Sequence, residues 1–296
     1  MPTKNSSRTI VQIEGCNGSW FTLSGPGMGK EGVFLGTNVE GIYDAPVKTI
    51  YTEHANQIGA SFAGVKNLKR DIVFGVTIGD TDNSDWQKND SEWRKAWSYT
   101  KDSKLWIETN DSRRYLKLRL AEQPVFRPER DPNLMQVERV GMTCVAADPW
   151  WYEEDATGEW ISQTGKDSGV VAIENPTDQE VWLKWIFQGP GSWTIPDFSF
   201  GDDRFENPVA HANRGIQMPA MLPGAKWVVD TDPMEDTLRD TNGSQIWSLM
   251  RGKDFLYPIP PYTERTELPV SVTGSVAGAG IQVRIPRTWS RPWGLQ

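Results

Sequence analysis

From Asp71 to Ile78 the apolar residues Ile72, Phe74, Val76 and Ile78 occupy every second position, the period of a pleated strand with one face in a core. In Tyr115-Leu116-Lys117-Leu118-Arg119-Leu120 the leucines take one side and the basic residues the other, as in an antiparallel strand with one solvated face. Shorter runs of the same kind, separated by turn residues, predict strands over 9–14, 19–23, 33–36, 48–53 and 58–63. Over 136–144 the apolar set moves from Val137 to Val140, an odd step that predicts a β-bulge near Glu138 and Arg139.

One segment departs from the period of two. Trp93, Ala96 and Trp97 recur at helical spacing, behind Asn89 with Glu92 three residues later, so a single amphipathic helix is predicted over 90–101 with a tryptophan stripe turned to a core. At the middle of the chain Asp148-Pro149-Trp150-Trp151-Tyr152 closes a strand: Pro149 cannot donate to a sheet ladder, and Trp150 and Trp151 offer flat surfaces for burial. The segment 155–168 that follows is polar and without apolar period. Pro149, Trp150 and Trp151 therefore read as a structural seam between two domains, 1–155 and 156–296.

Beyond the seam, strands are predicted over 169–174, 181–187, 192–195, 215–218, 226–230, 245–250, 268–272 and 280–285, with turns such as Asn175-Pro176 and Asn242-Gly243 between them. Val181, Leu183, Trp185 and Phe187 share one face, and Ile281, Val283 and Ile285 share another. The whole is an all-β chain of two β-sandwich domains, the first carrying the helix. The segment 196–213, with Phe198, Phe200, Asp202, Asp203 and Phe205, is a long irregular loop of the kind that is functional or variable.

Composition narrows the function classes. With 296 residues, two cores of ordinary size fit without staples. The formal charge of −8, from 31 basic and 39 acidic residues interspersed, lacks the basic stripe that a phosphate backbone requires, so no nucleic-acid partner is expected. Met1–Ile13 has no apolar run of a leader, and no window approaches the roughly 18 apolar residues of a membrane span, so a soluble chain made in the cytosol is expected. Cys144 reads as a small core residue, and with Cys16 as the one other cysteine no disulfide is expected in that compartment.

Candidate chemistry is sparse. Gly27-Met28-Gly29-Lys30-Glu31-Gly32 has dinucleotide-fingerprint spacing, but it leads into Val33-Phe34-Leu35, a strand, where that motif needs a helix. Asp80, Asp82 and Ser84 begin like a calcium loop that lacks its turn glycine and closing carboxylate. His54 and His211 have no metal-ligand spacing around them, and no nucleophile elbow occurs. No catalytic residue, metal or cofactor is assigned and no enzyme is expected. The tail Arg287-Thr288-Trp289-Ser290-Arg291-Pro292-Trp293-Gly294 follows the last strand, and Trp289 and Trp293 read either as an interaction surface or as a segment docked on its own sandwich.

In order along the chain, Gly32-Val33-Phe34-Leu35-Gly36, Tyr43-Asp44-Ala45-Pro46-Val47-Lys48, Arg70-Asp71-Ile72, Ala147-Asp148-Pro149-Trp150-Trp151-Tyr152-Glu153, Glu174-Asn175-Pro176, Gly189-Pro190-Gly191-Ser192-Trp193, Met221-Leu222-Pro223-Gly224, Val229-Asp230-Thr231-Asp232-Pro233, Phe255-Leu256-Tyr257-Pro258-Ile259-Pro260-Pro261 and the tail from Pro286 to Gly294 resemble the distal tail proteins, minor tail proteins of long-tailed phages of actinobacteria. That resemblance implies a structural virion component at the tail tip, synthesised in the host cytoplasm. It implies a first sandwich that assembles into a homohexameric ring, and a second, galectin-like or carbohydrate-module-like jelly roll that projects outward. The implied partners are the tail tube protein, the tail hub or baseplate protein and the end of the tape-measure protein. The alternative reading of the tryptophan-rich second sandwich is a carbohydrate-binding module for host attachment.

Overall fold

The structure, a computed structural model, describes residues 9–204 and 208–296. The first eight residues of the Met1–Ile13 reading, and Phe205 of the long loop, lie outside the described residues. The chain is all-β and forms two compact units, Met1–Glu153 with Trp289–Leu295, and Glu154–Thr288.

Unit 1 holds the strands β1 (Ile10–Glu14), β2 (Trp20–Ser24), β3 (Val33–Leu35), β4 (Val47–Thr52), β5 (Ser61–Asn67), β6 (Arg70–Gly79), β7 (Ser103–Glu108), β8 (Arg113–Leu120), β9 (Val125–Phe126) and β10 (Val137–Ala146), and the beginning of β11 (Trp151–Ile161). One antiparallel sheet runs β2-β1-β7-β8 and a second runs β9-β10-β6-β3. The last residues of β8 pair with β10, so this strand bends from one sheet into the other. Ile13, Leu23, Ile72, Phe74, Val76, Leu105, Leu116, Val140, Met142 and Cys144 fill the space between. The alternation of β6 and β8 is thus read out directly, since each second residue enters this core. β4 and β5 form a separate hairpin that pairs with neither sheet.

The helix α1 (Trp86–Lys95) starts one turn earlier than its spacing predicts. Asp85 is the N-cap, its carboxylate accepting from the Lys88 amide at 2.8 Å. Asn89, expected to cap, is buried: its amide donates to the Gly79 carbonyl at 2.8 Å and its oxygen accepts from the Ser84 hydroxyl. The helix ends at Lys95 because the Ser98 hydroxyl accepts from the Thr100 and Lys101 amides, and that turn replaces the helical ladder. Trp93, Ala96 and Trp97 are buried, Trp93 meeting Phe21 edge to face at 5.1 Å. A short helix α2 (Pro132–Met135) precedes β10.

No bulge forms at Glu138 and Arg139. β10 pairs with β6 in unbroken register from Val137 opposite Gly79 to Ala146 opposite Arg70. Val137 is out of phase because it lies on the outer, exposed side of the strand.

Unit 2 takes the rest of β11, then β12 (Asp167–Asn175), β13 (Lys184–Gln188), β14 (Ser192–Pro196), β15 (Gly215–Gln217), β16 (Lys226–Asp230), β17 (Leu238–Asp240), β18 (Thr263–Thr273) and β19 (Gly280–Trp289) up to Thr288. The sheets β17-β16-β13-β19 and β12-β18-β14-β15 face each other across a core that includes Leu183, Trp185, Phe187, Trp193, Val229, Val270, Ile281, Val283 and Ile285. Two expectations fail here. The polar segment 155–168 contains most of β11, whose pairing follows from its neighbours more than from its own alternation. Residues 245–250 are no strand: Trp247–Met250 is a 3₁₀ turn in which Met250 alone is buried, closed by Arg251 at φ 53°. Among the described residues no helix is long and apolar enough to cross a membrane.

Candidate functional site

Two buried cations of unit 1, Arg70 and Arg114, converge on the seam and the tail. Arg70, at the start of β6, is 1% exposed, and its side chain donates to five backbone carbonyls. Nε reaches Pro149 at 3.1 Å, Nη1 reaches Gly41, Ile42 and Tyr43 at 3.1, 2.9 and 3.3 Å, and Nη2 reaches Ser290 at 2.8 Å. Burial pulls its pKa down to about 10, with the nearby Asp44 carboxylate opposing. One rigid guanidinium fork therefore holds three stretches of chain that are far apart in sequence.

Arg114 on β8 repeats the device. Its Nη1 donates to the carbonyls of Arg291 and Gly294 at 2.9 and 3.1 Å, and its guanidinium lies 3.7 Å from the centre of the Trp289 ring. The Trp289 indole donates to Glu153 at 2.7 Å, and the Trp151 indole to the Ile42 carbonyl at 3.1 Å. Outside this buried pair, Arg291 bonds Asp44 at 2.7 Å and covers Tyr43, which packs against Trp293 at 5.3 Å.

The residues singled out in sequence are thus placed in one cluster. Pro149 is buried and ends the run after β10, Trp151 is fully buried in the unit 1 core, and Trp150 is half-buried beside it. Trp289 is 1% exposed and belongs to the same core, so it presents no face to a partner; Trp293 is half-buried against that core. What sequence reasoning missed is the pair Arg70 and Arg114. Their one signal is a basic residue at an inward position of an alternating strand, Arg70 before Ile72 and Arg114 before Leu116. Alongside, Tyr152 donates to Asp148, and burial with that bond raises its phenol far above the ordinary value, leaving it protonated.

In unit 2, Asp197 opens the long irregular segment. It bonds Arg214 and accepts from the amides of Leu256 and Tyr257 at 3.1 and 3.2 Å. Burial raises its carboxyl, and Arg214 and the two amides pull it back. His211 Nδ1 lies 2.7 Å from the Tyr257 hydroxyl. These bonds tie the loop to the 254–257 segment. Trp185, Trp193 and Trp227 are buried, and Trp247 is left exposed at 41%.

The dismissed motifs have structural work. The Gly27 to Gly32 run turns into β3, and a Cβ at Gly32 (φ +73°) would stand 2.2 Å from the Asn89 side chain, so glycine there lets α1 approach β6. Thr81 and Ser84 close a tight turn over the calcium-like run. Among the described residues no group of three or more His, Cys, Asp or Glu side chains is placed to hold a metal.

A chain built this way, all-β in two cores with its buried charges spent on holding backbone, has the fold of phage hub and baseplate subunits. The solved structure entitled crystal structure of SPP1 Dit (gp 19.1) protein, a paradigm of hub adsorption apparatus in Gram-positive infecting phages, is similar at a TM-score of 0.59 and 12% identity, over 95% of this chain and 98% of that one. A chain of the phage P2 baseplate in its activated conformation with Ca is similar at a TM-score of 0.52 and 11% identity, over 95% and 98%. No family model matches the chain. Its sequence is 36% identical to Minor tail protein Gp27 of Mycobacterium phage L5, over 97% of this chain and 99% of the relative, and equally to Minor tail protein Gp27 of Mycobacterium phage D29. The protein belongs to this family of phage minor tail proteins.

Proposed function

We propose that this minor tail protein is a distal tail protein: a structural, non-catalytic subunit whose copies form a ring, six to a turn, at the tail tip and join the tail tube to the hub or baseplate. The observation that carries the reading is full-length likeness on two independent grounds, to minor tail proteins in sequence and to Dit in fold. The β4–β5 hairpin supports it, because it stands off both sheets with its apolar residues exposed, as an assembly arm does. In this reading the amino-terminal domain, 1–155, makes the ring and meets the tube protein, the hub protein and the end of the tape-measure protein. The domain 156–296, a galectin-like sandwich, projects outward. The chain is made in the host cytoplasm and carried in the virion.

Electron microscopy of the purified protein and of virions labelled on this chain tests the proposal. Rings, and label confined to the tail tip, are expected. A monomer at all concentrations that is absent from the tip overturns it.

A further inference from the structure

The tripeptide Asn-Gly-Ser occurs twice in the chain, at Asn17-Gly18-Ser19 and at Asn242-Gly243-Ser244. Both glycines sit in turns at positive φ, +84° and +78°, and both asparagines are exposed. A glycine after asparagine carries no Cβ to shield its amide nitrogen, which can therefore reach the neighbouring side-chain carbonyl. By local sequence the two sites have one reactivity, and the fold separates them.

Asn17 is clamped. Its Oδ1 accepts from the Ser19 hydroxyl at 2.6 Å and from the Ser19 amide at 3.1 Å, which fixes the side chain. The turn is closed by the Gly15 amide on the Ser19 carbonyl at 2.7 Å and by the Gly18 amide on the Gly15 carbonyl at 2.8 Å. It is also held from outside. The Cys16 amide donates to the Ala96 carbonyl at 2.9 Å, and an added Cβ on Gly15 would stand 2.6 Å from the Ala96 Cβ. Opening this turn means lifting it off the end of α1.

Asn242 is at a hairpin tip. Arg239 bridges Gln245, the Asp240 amide donates to the Ser244 carbonyl at 3.0 Å, and residues 241–245 are all exposed. The Asp240 carboxylate accepts from the amides of Asn242 and Ser244 at 2.9 and 2.8 Å. The serine amide that holds the asparagine at the first site is thus turned to Asp240 at the second. The Asn242 side chain bonds to none of the described residues, and the Gly243 amide donates to the Asp240 carbonyl at 3.1 Å. Local opening of such an exposed tip costs little.

We propose that Asn242 is a site of spontaneous deamidation and that the fold protects Asn17 from the same reaction. The Gly243 amide nitrogen bonds to Asn242 Cγ, and a five-membered succinimide closes. The side-chain nitrogen leaves as ammonia, with the proton that the amide gave up. Water then opens the ring at one carbonyl or the other, to isoaspartate, whose main chain runs through the former side chain, or to aspartate. Water is the only co-reactant. Either product adds a negative charge to a chain at −8 and sets it beside the Asp240 carboxylate that holds the tip, so the tip loosens. In a virion, where the chain is not renewed, the converted fraction rises with the age of the particle. The reaction itself does not depend on the ring reading.

The test incubates the full chain in mildly alkaline buffer, native and in urea, and follows both sites by peptide mapping that separates asparagine, aspartate and isoaspartate. Urea removes the fold and leaves the flanking sequence, so it supplies the reference. The ratio of the Asn242 rate to the Asn17 rate is expected to be at least about tenfold larger in native protein than in urea. Asn242→Gln cannot close the five-membered ring; it is expected to melt as the wild type does and to keep its peptide unchanged in mass. A native ratio below that margin overturns the proposal. A native ratio in favour of Asn17 would show further that polarisation of its carbonyl by Ser19 outweighs the clamp.

Discussion

Arg70 satisfies five carbonyls that have little access to water, and this sets what its loss does. Arg70→Met keeps much of the apolar stem and removes every donor, so at least about 2 kcal/mol of stability is expected to go, from carbonyls left without partners. Urea unfolding of the two proteins side by side measures it, and an unchanged midpoint would show that water replaces the guanidinium. Cys144 gives a second prediction at this scale. Burial pushes its thiol from 9.0 up to about 12, while Cys16 is partly exposed. Below pH 9 folded and unfolded chains both hold the Cys144 proton. Between 9 and 12 the unfolded chain loses it first, so this thiol's contribution to stability falls as pH rises through that window. Native protein treated with iodoacetamide at pH 8 is therefore expected to be labelled at Cys16 and spared at Cys144, with the second label appearing on addition of denaturant. Peptide mass mapping reads both sites.

Elements that bury one face were legible from sequence, and those whose reasons lie elsewhere were not. β6, β8 and β16 follow their apolar alternation, and the tryptophan stripe of α1 follows its helical spacing. β7 hid because Trp106 on the outer face breaks the contrast with Leu105 and Ile107 on the inner one: there it packs on Tyr115 at 4.6 Å and carries Arg113 over its ring at 4.3 Å. β11 hid because Glu153, Glu154, Asp155, Thr157 and Glu159 interrupt its apolar residues and the strand is fully buried only at Trp151. The cap of α1 hid behind a better-looking one, since Asn89 resembles a capping residue until its buried bonds to Gly79 and Ser84 are seen. Of the candidate site, the prolines and tryptophans were visible as residue types, whereas the arginines that bind them act through carbonyls, which no sequence pattern displays. The helix itself gives a test. Trp93 is buried against Phe21 and Trp97, so Trp93→Ala is expected to destabilise the protein by about 3–5 kcal/mol, seen as a lowered denaturant midpoint with an unchanged slope. A loss below about 1 kcal/mol would mean that the stripe is covered some other way.

At the scale of the whole molecule, the first unit is closed by the last residues of the chain. It is made of Met1–Glu153 and Trp289–Leu295, while Glu154–Thr288 is a continuous second unit with its own core. The tail gives unit 1 the ring of Trp289, which Arg114 covers, and the carbonyls of Ser290, Arg291 and Gly294, which satisfy donors of Arg70 and Arg114. Cutting the chain after Thr288 removes all of these and leaves two arginines facing an open core. Filling by water cannot restore the lost aromatic packing, whose removal costs about 3–5 kcal/mol for a buried tryptophan. Truncation is therefore expected to lower the melting of unit 1 while the fragment 154–288 keeps its own transition, a separation that calorimetry of the full chain, the truncated chain and the fragment resolves. The alternative, that the tail is an external arm for another protein, requires the truncated chain to melt as the intact one does.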